Sequence, residues 1–207
     1  MQQPMWLRSL SVGALAVFVA FAAAAQDAPL TNIRGKIQKV DGKTITIKSR
    51  DGSVVPVTMA DNFGVLGVVK AKLSDIKAND FVGIAASPGK DGKLHAEEVL
   101  IFPEAARGTG EGHYDWDLKP KGDTMTNGTV TGTAAGKAKG RVLSINYKGG
   151  TQDIVVSPKA PIVTFKPADA SLLKPGAAIF VRTPKRPDGT IVAQRAVVEQ
   201  NGVKPPM

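Results

Sequence analysis

Short runs in which apolar and polar residues alternate dominate the chain, as at residues 33–40 and 44–48. A period of two is typical of a β-strand with one buried face. Asp-Gly pairs, which favour hairpin turns, separate several of these runs. In the first half, the predicted order is three strands, a connection with a short helical turn at residues 73–77, and two further strands. That order is typical of a five-stranded OB-type barrel, with half of a β-sandwich as the alternative.

The same order of elements returns in the second half of the chain, shifted by 97 or 98 residues. Five pairs of landmarks keep this offset: Gly42 and Gly140, Gly52 and Gly150, Ser74 and Ser171, Asp91 and Asp188, and Ala96 and Ala193. The sequence therefore predicts an all-β protein with two tandem five-stranded OB-like barrels joined by an extended linker. The predicted barrels span residues 32–103 and 128–200, with the linker at 104–127. Residues 26–31 are predicted to be a flexible N-terminus and residues 201–207 a disordered tail.

The first 25 residues have the three parts of a secretory signal peptide. A positive charge at Arg8 precedes an uncharged apolar run at 10–22, and small residues at 23–25 suit cleavage. An uncleaved membrane anchor is the alternative, because the apolar run approaches the length of a membrane span. No later stretch is apolar enough to span a bilayer, and the 207-residue chain contains no Cys. These features predict a periplasmic or secreted bacterial protein without disulfides.

The chain carries a formal charge of +9, from 27 basic and 18 acidic residues. This excess suggests envelope polyanions or another envelope protein as partners, although the Lys residues are scattered as on an ordinary solvated surface. Nucleic acid is not favoured, because an exported protein with few aromatic residues offers few stacking platforms. Catalysis is not favoured either, because the chain has no Cys, two His and no recognisable nucleophile motif. The prediction is a non-enzymatic protein without a cofactor.

The predicted linker has the most distinctive chemistry of the chain. If residues 111–117 are extended, alternate side chains point to opposite faces. One face would carry the candidate metal ligands Glu111, His113, Asp115 and Asp117, and the other would carry the aromatic residues Tyr114 and Trp116. Three carboxylates and an imidazole would suit a divalent metal such as Mn, Zn or Ca, and a ligand stacked on the two aromatic rings is a further alternative. The favoured interpretation is that the aromatic residues pack between the barrels while the acidic residues point into water.

The linker also carries a resemblance. Gly-Thr-Gly-Glu-Gly-His-Tyr-Asp-Trp-Asp-Leu at 108–118, followed by Thr-Met-Thr-Asn at 124–127, is similar to a segment of uncharacterised proteobacterial exported proteins with tandem small β-barrel domains. The resemblance covers most of residues 26–200 and implies no established activity. Some similar chains carry the label metal ABC transporter permease, which the lack of membrane spans after residue 25 contradicts. The predicted function is a binding or structural role in the bacterial envelope, with a periplasmic divalent-metal-binding accessory role for residues 111–117 as the alternative.

Overall fold

The computed structural model describes residues 30–118, 122–136, 140–186 and 188–206. Within these ranges the regular structure is β-strand, interrupted only by single 3-10 turns such as Leu73–Asp75. The all-β prediction is confirmed. None of the described segments forms a helix that is long and apolar enough to cross a membrane. The predicted signal peptide, residues 1–25, lies outside the described residues.

The described residues form twelve strands, numbered here in chain order. They are β1 (Leu30–Asp41), β2 (Thr44–Ser49), β3 (Val54–Lys70), β4 (Phe81–Pro88), β5 (Leu94–Ile101), β6 (Gly112–Asp115), β7 (Thr124–Ala135), β8 (Arg141–Tyr147), β9 (Gly150–Val156), β10 (Ile162–Ala168), β11 (Ala178–Pro184) and β12 (Val192–Val198). Further 3-10 turns lie at Glu104–Ala106 and Ala170–Leu172.

Five of these strands close into a barrel. β12 pairs with β11, β11 with β1, β1 with β2 and β2 with β3, and β3 pairs back with β12. Alternate residues of each strand point inward, so the interior is built from branched aliphatic side chains: Ile33, Ile37, Ile45, Ile47, Val57, Ile179, Val181 and Val198. Gly35 lies where β1 and β2 approach closely, because a Cβ atom there would overlap the backbone oxygen of Lys48.

Strands β4, β5, β7, β8 and β9 form a second group. β5 pairs with β4, β4 with β7, β7 with β8 and β8 with β9. The pairs Leu94↔Ile154 and His95↔Val155 then join β5 to β9. This second group has its own apolar interior, which includes Val82, Ile84, Val99, Val130, Leu143, Ile145 and Ile154.

Both groups take strands from both halves of the chain. The closed barrel combines β1, β2 and β3 with the hairpin β11–β12, whereas the second group combines β7, β8 and β9 with the hairpin β4–β5. The prediction of two tandem barrels, with residues 32–103 forming one and residues 128–200 the other, is therefore not confirmed. The two hairpins are exchanged between the halves.

The physical reason for the exchange is the length of β3. This strand runs for 17 residues, and its last part pairs antiparallel with β10, from Val65↔Ala168 to Lys70↔Val163. β3 therefore leads the chain out of the closed barrel and delivers β4 beside β7 in the second group. The alternation of side chains specifies which face of a strand is buried, but it does not name the neighbouring strand.

The described parts of both predicted flexible ends are ordered. Leu30 and Thr31 belong to β1 and pair with the end of β11. After β12, Gln200 and Val203 exchange backbone hydrogen bonds, and Pro206 is buried. In this segment Pro205 and Pro206 are buried, whereas Asn201, Gly202 and Lys204 are exposed.

Candidate functional site

A cleft of about 670 Å³ lies between the closed barrel and the second group. Leu66 of β3 and Phe165 of β10 line its floor, and β1, β11 and β12 face β4, β5 and residues 104–118 across it. Its apolar lining consists mainly of Leu66, Leu100, Phe102, Phe165, Phe180 and Val197. The rings of Phe102 and Phe165 meet edge to face with centroids 6.5 Å apart, a favourable aromatic geometry.

The two walls of the cleft are built from equivalent positions of the repeat. In the first half, β4 and β5 place Ala85 opposite Glu98. In the second half, Phe180 of β11 pairs with Val197 of β12. Arg182 lies two residues after Phe180 on β11, and Arg195 lies two residues before Val197 on β12. The hairpin exchange therefore brings a neutral–acidic pair and a basic pair, both derived from the same repeat positions, to one cleft.

Arg182 and Arg195, the arginine pair, are both exposed and both line the cleft. Neither side chain forms an ion pair or side-chain hydrogen bond within the described ranges. Two positive charges that line one cleft repel each other. The Nη1 atom of Arg182 reaches the linker, since a Cβ atom at Gly110 would lie 3.1 Å from it.

A third arginine of the cleft is paired. Asp117 accepts hydrogen bonds from Arg34 Nη1 at 2.9 Å, from Arg34 Nη2 at 3.2 Å and from Asn32 Nδ2 at 3.0 Å. The side chain of Arg34 is only 12% exposed, and its guanidinium lies 5.0 Å from the ring centroid of Phe180. Burial raises the pKa of Asp117, but the hydrogen bonds from Asn32 and Arg34, together with the charge of Arg34, outweigh it and lower that pKa. Asp117 therefore ties the linker to β1.

The two candidate stacking residues, Tyr114 and Trp116, both line the cleft but differ in how far they are buried. Trp116 is 7% exposed, and Tyr114 is 42% exposed. The Tyr114 hydroxyl donates to the carbonyl of Gly110 and accepts from Asn127 Nδ2 at 3.0 Å. The expected burial therefore holds for Trp116, whereas Tyr114 stands at the surface. Stacking of a ligand on these rings remains a prediction.

The four candidate metal ligands lie in separate surroundings. Glu111 accepts from the backbone N–H of Lys148 at 3.1 Å, Asp117 binds Arg34, and Asp115 is exposed and lines the cleft. His113 Nδ1 lies 2.8 Å from Thr126 Oγ1, and the ring stacks on Tyr147 at 5.8 Å. Among the residues that the structure describes, no three His, Cys, Asp or Glu are grouped to hold a metal ion.

Sequence reasoning missed the arginine pair and the apolar floor. A signal for the pair was present, because Arg182 and Arg195 stand 97 residues after Ala85 and Glu98. The substitution of two arginines into positions that are neutral and acidic in the other half marks a place where the halves have diverged. The floor gave no comparable signal, because its side chains come from strands that meet only through the hairpin exchange.

Comparison with protein-family models, with curated proteins and with solved structures gave no match to this chain.

Proposed function

We propose that this is an exported, non-enzymatic binding protein that holds an elongated apolar ligand, such as an acyl chain, in the cleft between the two strand groups. The observation that carries this proposal is the cleft itself, which is about 670 Å³ in volume and lined on its floor by aromatic and aliphatic side chains. The bacterial envelope is the expected location because of the predicted signal peptide.

The size and lining of the cleft support this role. Small-molecule sites commonly have volumes of about 300–1,000 Å³, mostly apolar walls and a few polar groups. Soluble proteins rarely leave a contiguous apolar surface open to water unless it binds something. Here Val68 and Val163 are buried beside the floor on the same face of their strands, whereas Leu66 and Phe165 are partly exposed and line the cleft.

The strand order supports an OB-like description of both groups. Around the closed barrel the strands follow each other as β1, β2, β3, β12 and β11. Counted along the chain within the barrel, this order is one, two, three, five, four. The second group has the same order around its ring, as β7, β8, β9, β5 and β4. We infer two OB-like units with exchanged hairpins, and the seam between such units is a common place for ligand sites.

Displacement of N-phenyl-1-naphthylamine, an uncharged apolar dye, tests the proposal on the expressed and purified full chain. The dye is expected to bind, and decanol, dodecanol and tetradecanol are expected to displace it with rising affinity. Each buried methylene contributes about 0.8 kcal/mol, which corresponds to roughly a fourfold decrease in Kd. An absence of dye binding, or affinities independent of chain length, would refute the role.

Two substitutions on one strand make the test specific to the cleft. Leu66→Gln places a polar amide on the floor and is expected to weaken binding about tenfold or more, because more than one methylene of contact is lost. Val54→Gln is the matched control, since Val54 is 56% exposed at the other end of β3 and does not line the cleft. Equal losses in both variants would show that the dye binds elsewhere.

A further inference from the structure

We propose that the arginine pair is a receptor for a phosphate group, so that the cleft takes a single-chain lipid with a phosphomonoester head. This inference rests on the proposed function and names the class of ligand for the same site. Arg182 and Arg195 lie on adjacent strands at the wall of the cleft, next to the apolar side chains of Phe180 and Val197 in the same wall.

The charge of the pair favours a dianion. A phosphomonoester carries about −1.5 to −2 charges at pH 7 and has three terminal oxygens. Two guanidinium groups can therefore each donate a fork of two hydrogen bonds to it. A carboxylate has one charge and two oxygens, which match a single guanidinium, as Asp117 does with Arg34 in this structure. Neither Arg182 nor Arg195 forms an ion pair among the described residues.

The remaining charges of the cleft orient such a ligand. Glu98 and Asp115 also line it, and both would repel an anionic head. Glu98 comes from β5 and is the repeat equivalent of Arg195. The phosphate is therefore directed to the β11–β12 wall, while the chain lies along the floor toward Leu66 and Phe165.

The position of the pair argues against an ordinary solvated surface. The equivalent residues Ala85 and Glu98 show that the hairpin does not require arginine at either place. Arg182 and Arg195 line the same cleft, and two positive charges there repel each other. Repulsion at this point is relieved when an anion binds between the two side chains.

Competition against the bound dye separates the two proposals. The ligands are dodecyl phosphate and dodecanoate below their micellar concentrations, dodecanol below its solubility limit, and inorganic phosphate. Dodecyl phosphate is expected to bind about tenfold or more tightly than dodecanol, because it adds charge-assisted hydrogen bonds to the same chain contact. Dodecanoate is expected to fall between them, and inorganic phosphate to bind weakly without displacing the dye.

The double variant Arg182→Gln/Arg195→Gln is expected to lose the preference for dodecyl phosphate over dodecanol. Arg186→Gln is the matched control, because Arg186 is exposed and is not a lining residue of the cleft. Replacing both residues of the pair by Lys keeps the two positive charges but removes the paired N–H donors of the guanidinium groups. This variant should keep only part of the preference for dodecyl phosphate over dodecanol. Circular dichroism of each variant checks the fold.

Each contrary outcome is informative. Equal binding of dodecyl phosphate and dodecanol by the unmodified protein overturns the phosphate receptor but leaves the apolar cleft intact. Inorganic phosphate that binds as tightly as dodecyl phosphate overturns the lipid ligand, because the chain then contributes nothing. If dodecyl phosphate, dodecanoate and dodecanol all fail to displace the dye, the proposed function is overturned, and with it this inference.

Discussion

The contact between Asp117 and β1 gives a quantitative test of how the linker is held. Asp117→Asn keeps the shape of the side chain but removes its charge, and Arg34 then loses its ionic partner. A hydrogen bond to a charged group contributes about 1.5–3 kcal/mol when it is shielded from water. Asp117 has a side-chain exposure of 48% and Arg34 one of 12%, so solvent screens about half of this interaction. We therefore expect a loss of about 1–2 kcal/mol in the free energy of unfolding.

Thermal unfolding followed by circular dichroism measures this loss. For a protein of this size, about 1 kcal/mol corresponds to roughly 2–4 °C in Tm, so Asp117→Asn should lower Tm by about 2–8 °C at pH 7. Asp115→Asn is the control, since it makes the same change of charge two residues earlier on an exposed side chain. If the two variants melt within about 1 °C of each other, the linker is not held by this contact.

The same variant predicts a pH dependence. The pKa of Asp117 lies below its usual value of 3.8 in the folded protein. A carboxyl whose pKa is lowered on folding stabilises the protein above the usual value, and that contribution is lost as the pH falls through the lowered pKa. The difference in Tm between the unmodified protein and Asp117→Asn should therefore be constant at neutral pH and shrink as the pH falls below about 4. A difference that persists in acid would show that shape, and not charge, holds the linker.

Two further predictions concern packing and metal. Gly35→Ala is expected to lower the free energy of unfolding by about 3 kcal/mol or more, because the added methyl group meets the fixed backbone oxygen of Lys48. Gly64→Ala should be tolerated, since the atom nearest to its added methyl group is 4.0 Å away. Urea unfolding compares the two variants. His113→Ala should lower the free energy of unfolding by about 1–2 kcal/mol, because it removes the partner of the buried Thr126 hydroxyl. Zn²⁺ or Mn²⁺ should not shift the Tm of the unmodified protein or of His113→Ala. A metal-specific shift that disappears in His113→Ala would support the metal-binding accessory role.

The sequence predicted the strands better than their partners. Alternation at 33–40 and 44–48 correctly indicated β1 and β2, and the Asp-Gly turn between them is present, with Gly42 at φ +52°. The short turn expected at 73–77 is the 3-10 turn at Leu73–Asp75. These features depend on local periodicity and backbone preference, which a single sequence records. Strand pairing across the halves depends on contacts between distant residues, and the repeat offset is identical whether or not the hairpins exchange.

For the candidate site, too, the sequence predicted local features better than contacts between distant residues. Alternation along the linker predicted one acidic face, but β6 ends at Asp115, so the period of two does not continue to Asp117. That residue turns toward β1 and binds Arg34. Two acidic residues of the linker, Glu111 and Asp117, form hydrogen bonds to residues outside it. The cleft beside it is lined by strands from both halves of the chain, as the proximity of Arg182 to Gly110 illustrates.

Separate fragments test the hairpin exchange directly. Residues 1–103 contain β1 to β5 but lack the β11–β12 hairpin that closes the barrel, and residues 104–207 lack the β4–β5 hairpin that pairs with β7. The interior of the barrel joins Ile45 and Val57 of the first fragment to Ile179 and Val181 of the second. Each fragment alone would expose half of each interior to water, which a domain of this size cannot sustain.

We therefore expect neither fragment to unfold cooperatively as a monomer, and an equimolar mixture to form a one-to-one complex with a cooperative melt. Analytical ultracentrifugation and circular dichroism measure both properties. A fragment 1–103 that folds as a stable monomer and ignores its partner would mean that the β4–β5 hairpin folds back onto β1 to β3. The halves would then be contiguous barrels, Arg182 and Arg195 would no longer share a cleft with Leu100 and Glu98 in the way described, and the ligand site would have to be sought within one half.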